Sequence, residues 1–257
     1  MTIVTVFVGP AGTGKTSLVN TYSKWLKREL FLRVAVVNMD PGAENLPYNP
    51  VFDIREWFTL RDIMKKYGLG PNGAFLRSSE LIAEKIDDVM KREPFSNIEQ
   101  WDVLLVDTPG QMEAFIFRPS STVFFEYLSK ISNPVTVFII DASAIKSVSD
   151  AVTLWFLGVL TQAKLGTTVV PVINKIDVAE NLEYARLLVE DPEKLMHIAE
   201  EQSHEGIVSE VVPELVSIAI KTRGAYRPVL VSAKTGQGIE ELHYLIHEAF
   251  CTCGDLT

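Results

Sequence analysis

The chain has 257 residues, of which 47% are hydrophobic and 22% are charged, a composition typical of a globular protein and not of a disordered or fibrous one. Its formal net charge of −9 argues against broad binding to nucleic-acid backbones, because such binding requires a basic surface. The two cysteines, Cys251 and Cys253, both lie near the end of the sequence, and no long apolar run or signal-peptide pattern is present. We therefore expect a cytoplasmic protein without a disulfide framework or a membrane span.

The first predicted strand, residues 3–8, leads without a break into residues 9–16 and then into a helical pattern. Residues 9–16 fit G-x-x-x-x-G-K-[ST], the phosphate-binding P-loop, in which Lys15 reaches the β- and γ-phosphates and the Thr16 hydroxyl ligates Mg²⁺. The alternative is a glycine-rich turn that matches by chance, and the position between a strand and a helix argues against it. The predicted nucleotide-binding residues here are Gly12, Thr13, Gly14, Lys15, Thr16 and Ser17.

A second apolar strand is predicted at residues 34–37, and a segment containing proline and glycine follows it. Asp40 lies at the carboxyl end of this strand, on the edge where open α/β sheets bind ligands. A carboxylate there can hold a water of the Mg²⁺ shell or orient the attacking water. The alternative is a helix-capping or turn aspartate.

Helical periodicity predicts a short helix at residues 60–67 and a longer helix that ends near Pro94. Between them, Gly70-Pro71-Asn72-Gly73 is typical of a compact turn. The two helices form a predicted insertion, at about residues 57–95, between the second and third strands.

The third predicted strand, residues 103–106, runs into Asp107-Thr108-Pro109-Gly110-Gln111. Apolar residues followed by an aspartate match the second signature of P-loop NTPases, whose carboxylate holds Mg²⁺ directly or through water. Gly110 allows its backbone N–H to meet the γ-phosphate, as in the D-x-x-G switch loop of GTPases. An aspartate that ends a strand before a turn explains these residues singly, but not their occurrence together with a P-loop.

Two later strand ends predict the base specificity. A strand at residues 168–173 ends in Asn174-Lys175-Ile176-Asp177, an N-K-x-D motif. In this motif the Asp177 carboxylate accepts hydrogen bonds from the guanine N1–H and 2-amino groups, and the stem of Lys175 covers the ring. Adenine offers neither donor. The segment Ser232-Ala233-Lys234 follows another strand, and the backbone N–H of Ala233 can donate to guanine O6.

These elements together predict a single α/β domain over residues 1–257, a P-loop NTPase fold with a mostly parallel central sheet and helices on both faces. A second helical insertion is predicted at about residues 180–224, where the chain is charged and helix-prone. The sequence assigns no role to this insertion.

The chain resembles the GPN-loop GTPases, a family of P-loop GTPases of the SIMIBI class, on a series of motifs in the family's order. The resemblance implies a homodimer in which Asn72 of one subunit acts near the γ-phosphate of the other. It also implies a role in assembling or importing RNA polymerase or another macromolecular client. The motifs are the P-loop, Asp40-Pro41, Glu44-Asn45-Leu46-Pro47-Tyr48, Asp53-Ile54-Arg55, Gly70-Pro71-Asn72, Asp107 to Gln111, Asn174 to Asp177, and Ser232-Ala233-Lys234.

The expected reaction is hydrolysis of GTP to GDP and phosphate with Mg²⁺ as cofactor, the P-loop lysine and amides stabilising charge on the transferred group. Thr16 ligates the metal directly in this scheme, while Asp107 and Asp40 hold its water ligands. The attacking water is assigned to Gln111, to Asp40 or to Asn72 of the partner subunit, and the sequence leaves these three open.

Two rival functions remain at this level. The first is a small-molecule or polynucleotide kinase, because P-loops also serve phosphoryl transfer to hydroxyl groups; Asp177 argues against it, since such kinases usually lack a guanine-binding acid. The second is an assembly scaffold that binds GTP to fix its dimer geometry and hydrolyses it negligibly.

Overall fold

The central sheet appears in a computed structural model of the chain, which describes residues 1–201, 207–222 and 227–254. Within these residues, strands pair in parallel in the order β3-β2-β4-β1-β5-β6-β7. Such a sheet needs helices on both faces, because parallel strands are joined by crossovers that cover it. The strands are β1 Ile3–Val8, β2 Val34–Asn38, β3 Phe52–Asp53, β4 Val103–Asp107, β5 Val135–Asp141, β6 Val169–Asn174 and β7 Val229–Leu230.

Helices cover both faces of the sheet, as predicted, and each face has its own apolar core. Successive strand residues point to opposite faces, so Val6 and Phe7 of β1 belong to different cores. The helices α1 and α11 cover the Phe7 side, and the others cover the Val6 side. The helices are α1 Lys15–Glu29, α2 Leu60–Tyr67, α3 Pro71–Glu84, α4 Ile86–Met90, α5 Met112–Ile116, α6 Pro119–Ile131, α7 Val148–Leu165, α8 Glu183–Glu190, α9 Pro192–Glu201, α10 Ile207–Thr222 and α11 Ile239–Gly254.

The Gly-Pro-Asn segment differs from its prediction. Pro71 and Asn72 form the first turn of α3, with Gly70 as the N-cap residue, so the prediction of a separate compact turn is wrong. Proline suits the first helical position because the amide that it lacks would have no partner inside the helix. The predicted long helix is also two helices, since α3 ends at Glu84 and α4 begins at Ile86.

The predicted insertion after residue 180 is helical over its described part. Helices α8, α9 and α10 bury Ala185, Leu195 and Val216 in the core that lies on the Val6 side of the sheet. The end of the predicted range, including Gly224, lies outside the described residues, as does the side chain of Cys253. No helix within the described residues has the length and apolar character that a bilayer crossing requires.

Candidate functional site

The predicted motifs meet at one edge of the sheet. The P-loop follows β1, Asp40 follows β2, and Asp107 and Asn174 end β4 and β6. Because all these strands run in parallel, their carboxyl ends share one edge, where this class of sheet binds ligands. The structure thus brings the predicted phosphate, metal and base residues into one region.

The P-loop backbone has the conformation that its glycines permit. Gly12 and Gly14 have φ angles of 77° and 91°, in the region that favours glycine. Space adds a second requirement, because a Cβ on Gly9 would clash with the carbonyl oxygen of Ile139 in β5. Thr13 is buried and its hydroxyl donates to the Pro10 carbonyl at 2.9 Å. Of the other predicted residues here, Thr16 is half-buried, and Gly12 and Ser17 are exposed.

The Lys15 ammonium is buried and donates to three backbone carbonyls. The oxygens of Gly9, Pro10 and Gly110 lie 2.7, 3.0 and 3.2 Å from Nζ. Burial lowers the pKa of Lys15, and the nearby carboxylates of Asp107 and Asp40 act against this shift. A cation held in this way can exchange carbonyl partners for the oxygens of a bound anion.

Asp40 connects the loop after β2 with the loop after β4. Its Oδ1 accepts from the N–H of Gly42 at 2.8 Å, and its Oδ2 accepts from the N–H of Gly110 at 3.1 Å. Burial raises the pKa of Asp40, opposed by these hydrogen bonds and by Lys15. The N–H of Gly110 that the sequence assigns to the γ-phosphate therefore donates to a carboxylate, an acceptor of similar chemistry.

Asp107 has the chemistry of a cation ligand. It is fully buried, its Oδ2 accepts a 2.7 Å hydrogen bond from the Tyr48 hydroxyl, and its Oδ1 has no hydrogen-bond partner among the described residues. Burial raises the pKa of this carboxyl to about 6, and the hydrogen bond from Tyr48 and the nearby Thr16 hydroxyl oppose this shift. A buried acceptor oxygen without a donor is costly, and a divalent cation or its bound water would satisfy it.

The side chains at this edge suit Mg²⁺, which needs few protein ligands, and do not suit a metal that is held entirely by protein side chains. Across the described ranges, no group of three or more His, Cys, Asp or Glu side chains is arranged to hold a metal ion. Mg²⁺ is usually bound by one or two carboxylates together with water and substrate phosphates, so a site beside a P-loop needs few protein ligands. Asp107, Asp40 and Thr16 supply such a limited set.

The base side of the site is built around the side-chain amide of Asn174. Its Nδ2 donates to the Thr13 carbonyl at 2.9 Å, and its Oδ1 accepts from the N–H of Ala233 at 3.0 Å. The amide therefore joins the P-loop to the loop after β7. The N–H of Ala233, which the sequence assigns to guanine O6, therefore donates to the Asn174 side chain in this structure.

Of the predicted base residues, Lys175, Asp177 and Ala233 line a cavity of about 720 Å³, large enough for a nucleoside, whereas Ser232 is buried behind it. Asp177 faces it and accepts a 2.7 Å hydrogen bond at Oδ1 from the Ser232 hydroxyl. Lys175 also lines it, has a φ of 66°, and pairs with Asp141 at 2.6 Å. This ion pair holds the ammonium to one side, so that the Lys175 stem lies beside the cavity.

Two predicted catalytic residues, Gln111 and Asn72, make no side-chain hydrogen bond within the part of the chain that the structure describes. Gln111 is half-exposed at the residue before α5, and Asn72 is exposed in the first turn of α3. Helix α3 nevertheless approaches the site within the same chain, since a Cβ on Gly42 would lie 3.3 Å from the Phe75 ring.

Sequence reasoning assigned no role to two residues beside the site, Tyr48 and Arg55. Arg55 pairs with Asp53 at 2.6 Å and donates to the Ala43 carbonyl at 2.9 Å. Both residues lie in the motifs that carry the resemblance to the GPN-loop GTPases, and that resemblance was the signal available in the sequence. Their contacts join distant parts of the chain, which residue spacing does not reveal.

Comparison with known proteins identifies relatives of the chain. A family model described as a conserved hypothetical ATP binding protein matches residues 7–252. The chain is 35% identical to GPN-loop GTPase PAB0955 of Pyrococcus abyssi over 99% of its own length and 100% of that protein. It is 31% identical to GPN-loop GTPase 1 of Schizosaccharomyces pombe, covering 92% of this chain and 65% of the relative.

A solved structure agrees with these sequence comparisons. The crystal structure of PAB0955, described as a GTPase in apo form from Pyrococcus abyssi, superposes with a TM-score of 0.86 at 33% identity over 98% of both chains. The chain spans 58% of the length of GPN-loop GTPase 1 from Dictyostelium discoideum and 63% of that from Saccharomyces cerevisiae. On the family match, the relatives and the motifs at the sheet edge, the chain belongs to the GPN-loop GTPase family.

Proposed function

We propose that the protein binds GTP with Mg²⁺, hydrolyses it to GDP and phosphate, and acts as a homodimer whose nucleotide state controls the assembly of a macromolecular client. One observation carries the guanine assignment: Asp177 lies in a cavity that begins at the P-loop residue Gly14. A base-reading acid and a triphosphate-binding loop thus share one continuous space.

The base proposal also decides between the nucleotides that the comparisons name. The matching family model is described as ATP binding, whereas the relatives are named GTPases. Asp177 favours guanine, because adenine lacks the two donors that a carboxylate would accept and would leave this charge desolvated and unpaired. The proposal therefore predicts that GTP binds much more tightly than ATP.

The phosphate roles follow from the positions of the donors. The N–H groups of residues 12–17 and the Lys15 ammonium are assigned to the phosphate oxygens, and the N–H of Gly110 to the γ-phosphate. Thr16, Asp107 and Asp40 are assigned to hold Mg²⁺ and its water ligands. When bound, Mg²⁺ neutralises charge that develops on the phosphates during transfer.

A γ-phosphate would compete directly with Asp40 for the N–H of Gly110, because the two acceptors need the same donor. GDP lacks that phosphate and leaves the contact intact. The exchange of Asp40 for phosphate is a physical basis for a switch, in which the loops after β2 and β4 rearrange only with GTP. The released carboxylate is then one of three candidates to orient the attacking water, with Gln111 and Asn72 of the partner subunit.

The dimer and its client rest on family resemblance. Asn72 is exposed on the first turn of α3, where a second subunit can reach it. RNA polymerase or another macromolecular assembly is the client type that the resemblance implies, and the proposed location is the cytoplasm. The charge of −9 favours a protein client over nucleic acid.

Calorimetry with GTP and ATP, each with Mg²⁺, tests the base assignment, and equal affinities would refute it. Phosphate release at saturating GTP, with and without hydroxyl acceptors, separates the three functions. Release that needs no acceptor supports a GTPase, release or transfer that needs one supports a kinase, and negligible release supports a scaffold. Light scattering with each nucleotide tests the dimer.

The Asn72→Ala variant tests action across the dimer. We expect slower hydrolysis with little loss of GTP binding, because the side chain would contact only the γ-phosphate of the other subunit. The Ser96→Ala variant is the control, because it removes an exposed polar group away from the site. A normal rate in the Asn72→Ala dimer would contradict the proposed contact.

A further inference from the structure

Tyr48 lies in the irregular segment between β2 and β3, and its hydroxyl contacts the candidate metal ligand Asp107. The donor and acceptor, Tyr48 Oη and Asp107 Oδ2, are 2.7 Å apart although the residues are 59 positions apart in sequence. The ring of Tyr48 is half-buried and packs against the core beneath α1 and α11. The hydroxyl is therefore held in place by a rigid, packed side chain.

This hydrogen bond makes the two carboxylate oxygens of Asp107 different from each other. Oδ2 is taken by Tyr48, and Oδ1 has no hydrogen-bond partner among the described residues. A carboxylate that is fixed through one oxygen presents the other in a defined direction. Partners of this kind, which hold a metal ligand without touching the metal, commonly change metal affinity by about 10- to 100-fold when they are removed.

The segment that carries Tyr48 is fixed at its other end as well. Arg55 pairs with Asp53 and donates from Nη1 to the carbonyl of Ala43 at 2.9 Å. Pro47, next to Tyr48, lines the base cavity. Residues 43–48 are thus tied to β3 at one end and to the metal ligand at the other, and they pass beside the nucleotide cavity.

We propose that Tyr48 is a positioning residue for Mg²⁺: its hydroxyl orients Asp107 so that Oδ1 is the oxygen that serves the cation. The proposal rests on the proposed function, because it assumes a nucleotide-bound Mg²⁺ at Asp107. It adds a residue outside the phosphate-binding and base-binding motifs and predicts a defect in metal affinity that is separate from nucleotide affinity.

The experiment measures the release of a fluorescent N-methylanthraniloyl derivative of GDP as Mg²⁺ is varied. Tyr48→Phe removes only the hydroxyl, and we expect it to raise the Mg²⁺ concentration at half-maximal retention by about tenfold or more. Release in excess EDTA should equal that of the wild type. Tyr244→Phe is the matched control, because Tyr244 lies on α11 with 64% of its surface exposed.

Several outcomes would overturn the proposal. An unchanged or lower Mg²⁺ requirement would show that Tyr48 does not support the metal. Equally faster release in EDTA, or loss of the folded circular dichroism spectrum, would assign Tyr48 a general structural role. If the wild type itself shows no Mg²⁺-dependent retention of guanine nucleotide, the proposed function fails first, and that result is distinct from a failure of Tyr48 alone.

A double-mutant comparison tests whether Tyr48 acts through Asp107. Asp107→Asn should itself raise the Mg²⁺ requirement. In that background, adding Tyr48→Phe should produce little further change, because the group that the hydroxyl orients no longer serves the cation. A second shift as large as the first would mean that Tyr48 acts by another route and would overturn the proposal.

Discussion

Replacing Asp177 with asparagine tests the base assignment at the level of single atoms. The Ser232 hydroxyl donates to Oδ1 of Asp177 at 2.7 Å, so the Asp177→Asn side chain keeps its oxygen there and places its NH₂ group where Oδ2 was. This group is a donor and faces the donor groups of guanine. Hydrogen bonds to a charged group contribute about 1.5–3 kcal/mol each, so the loss of one such bond and of the charge should cost about 3 kcal/mol. The Kd for GTP should therefore rise by about 100-fold.

Calorimetry with GTP and xanthosine triphosphate measures this change directly. Xanthine carries an oxygen in place of the 2-amino group, and this oxygen can accept from the new NH₂ group, so its triphosphate should bind the Asp177→Asn variant better than the wild type. Glu241→Gln, at an exposed acid on α11, is the control for loss of a negative charge. GTP affinity within about twofold of the wild type would refute the role of Asp177.

Three further predictions concern the rest of the site and the fold. Lys15→Ala should abolish phosphate release, because its ammonium is assigned to the transferred phosphoryl group; turnover near the wild-type rate would contradict this. Thr21→Val removes a 2.6 Å hydrogen bond to the carbonyl of Ala233 and should weaken GTP binding by about fivefold, about 1 kcal/mol, with Thr21→Ser as the control in calorimetry. Burial, and then the neighbouring His247, lowers the pKa of His243, whose Nδ1 shares a hydrogen bond with the Tyr22 hydroxyl. Stability should therefore be full above the unfolded pKa of about 6.5 and fall as the pH drops below it. In urea unfolding, the free energy of unfolding should depend less steeply on pH in His243→Gln than in the wild type. An equal dependence in the two proteins would contradict this prediction.

The strands and the sheet edge were predictable because the strands have a simple pattern. Residues 103–106 are apolar on both faces, as in a buried parallel strand, and the polar motif at Asp107 marks the strand end. The position of each motif at a strand end then follows from the parallel order of the sheet. For this reason the fold class and the family were predicted correctly.

Other features were missed for physical reasons. Strand β3 has only Phe52 and Asp53, too few residues to show an alternating pattern. Gly70 and Pro71 suit both a turn and a helix N-terminus, so composition does not decide between them, and in the structure they begin α3. The hydrogen bond from Tyr48 to Asp107 depends on the path of an irregular segment, which no periodicity encodes.

The side-chain amide of Asn174 has a mechanical consequence. Because Nδ2 is bound to the Thr13 carbonyl and Oδ1 to the N–H of Ala233, the amide group has one orientation, and both loops depend on it. A carboxylate in its place would oppose the Thr13 carbonyl with a second acceptor and push the loops apart. A displacement of the P-loop is thus transmitted through the Asn174 side chain to the loop after β7. The loop that would hold the phosphates and the loop that would hold the base are therefore mechanically coupled.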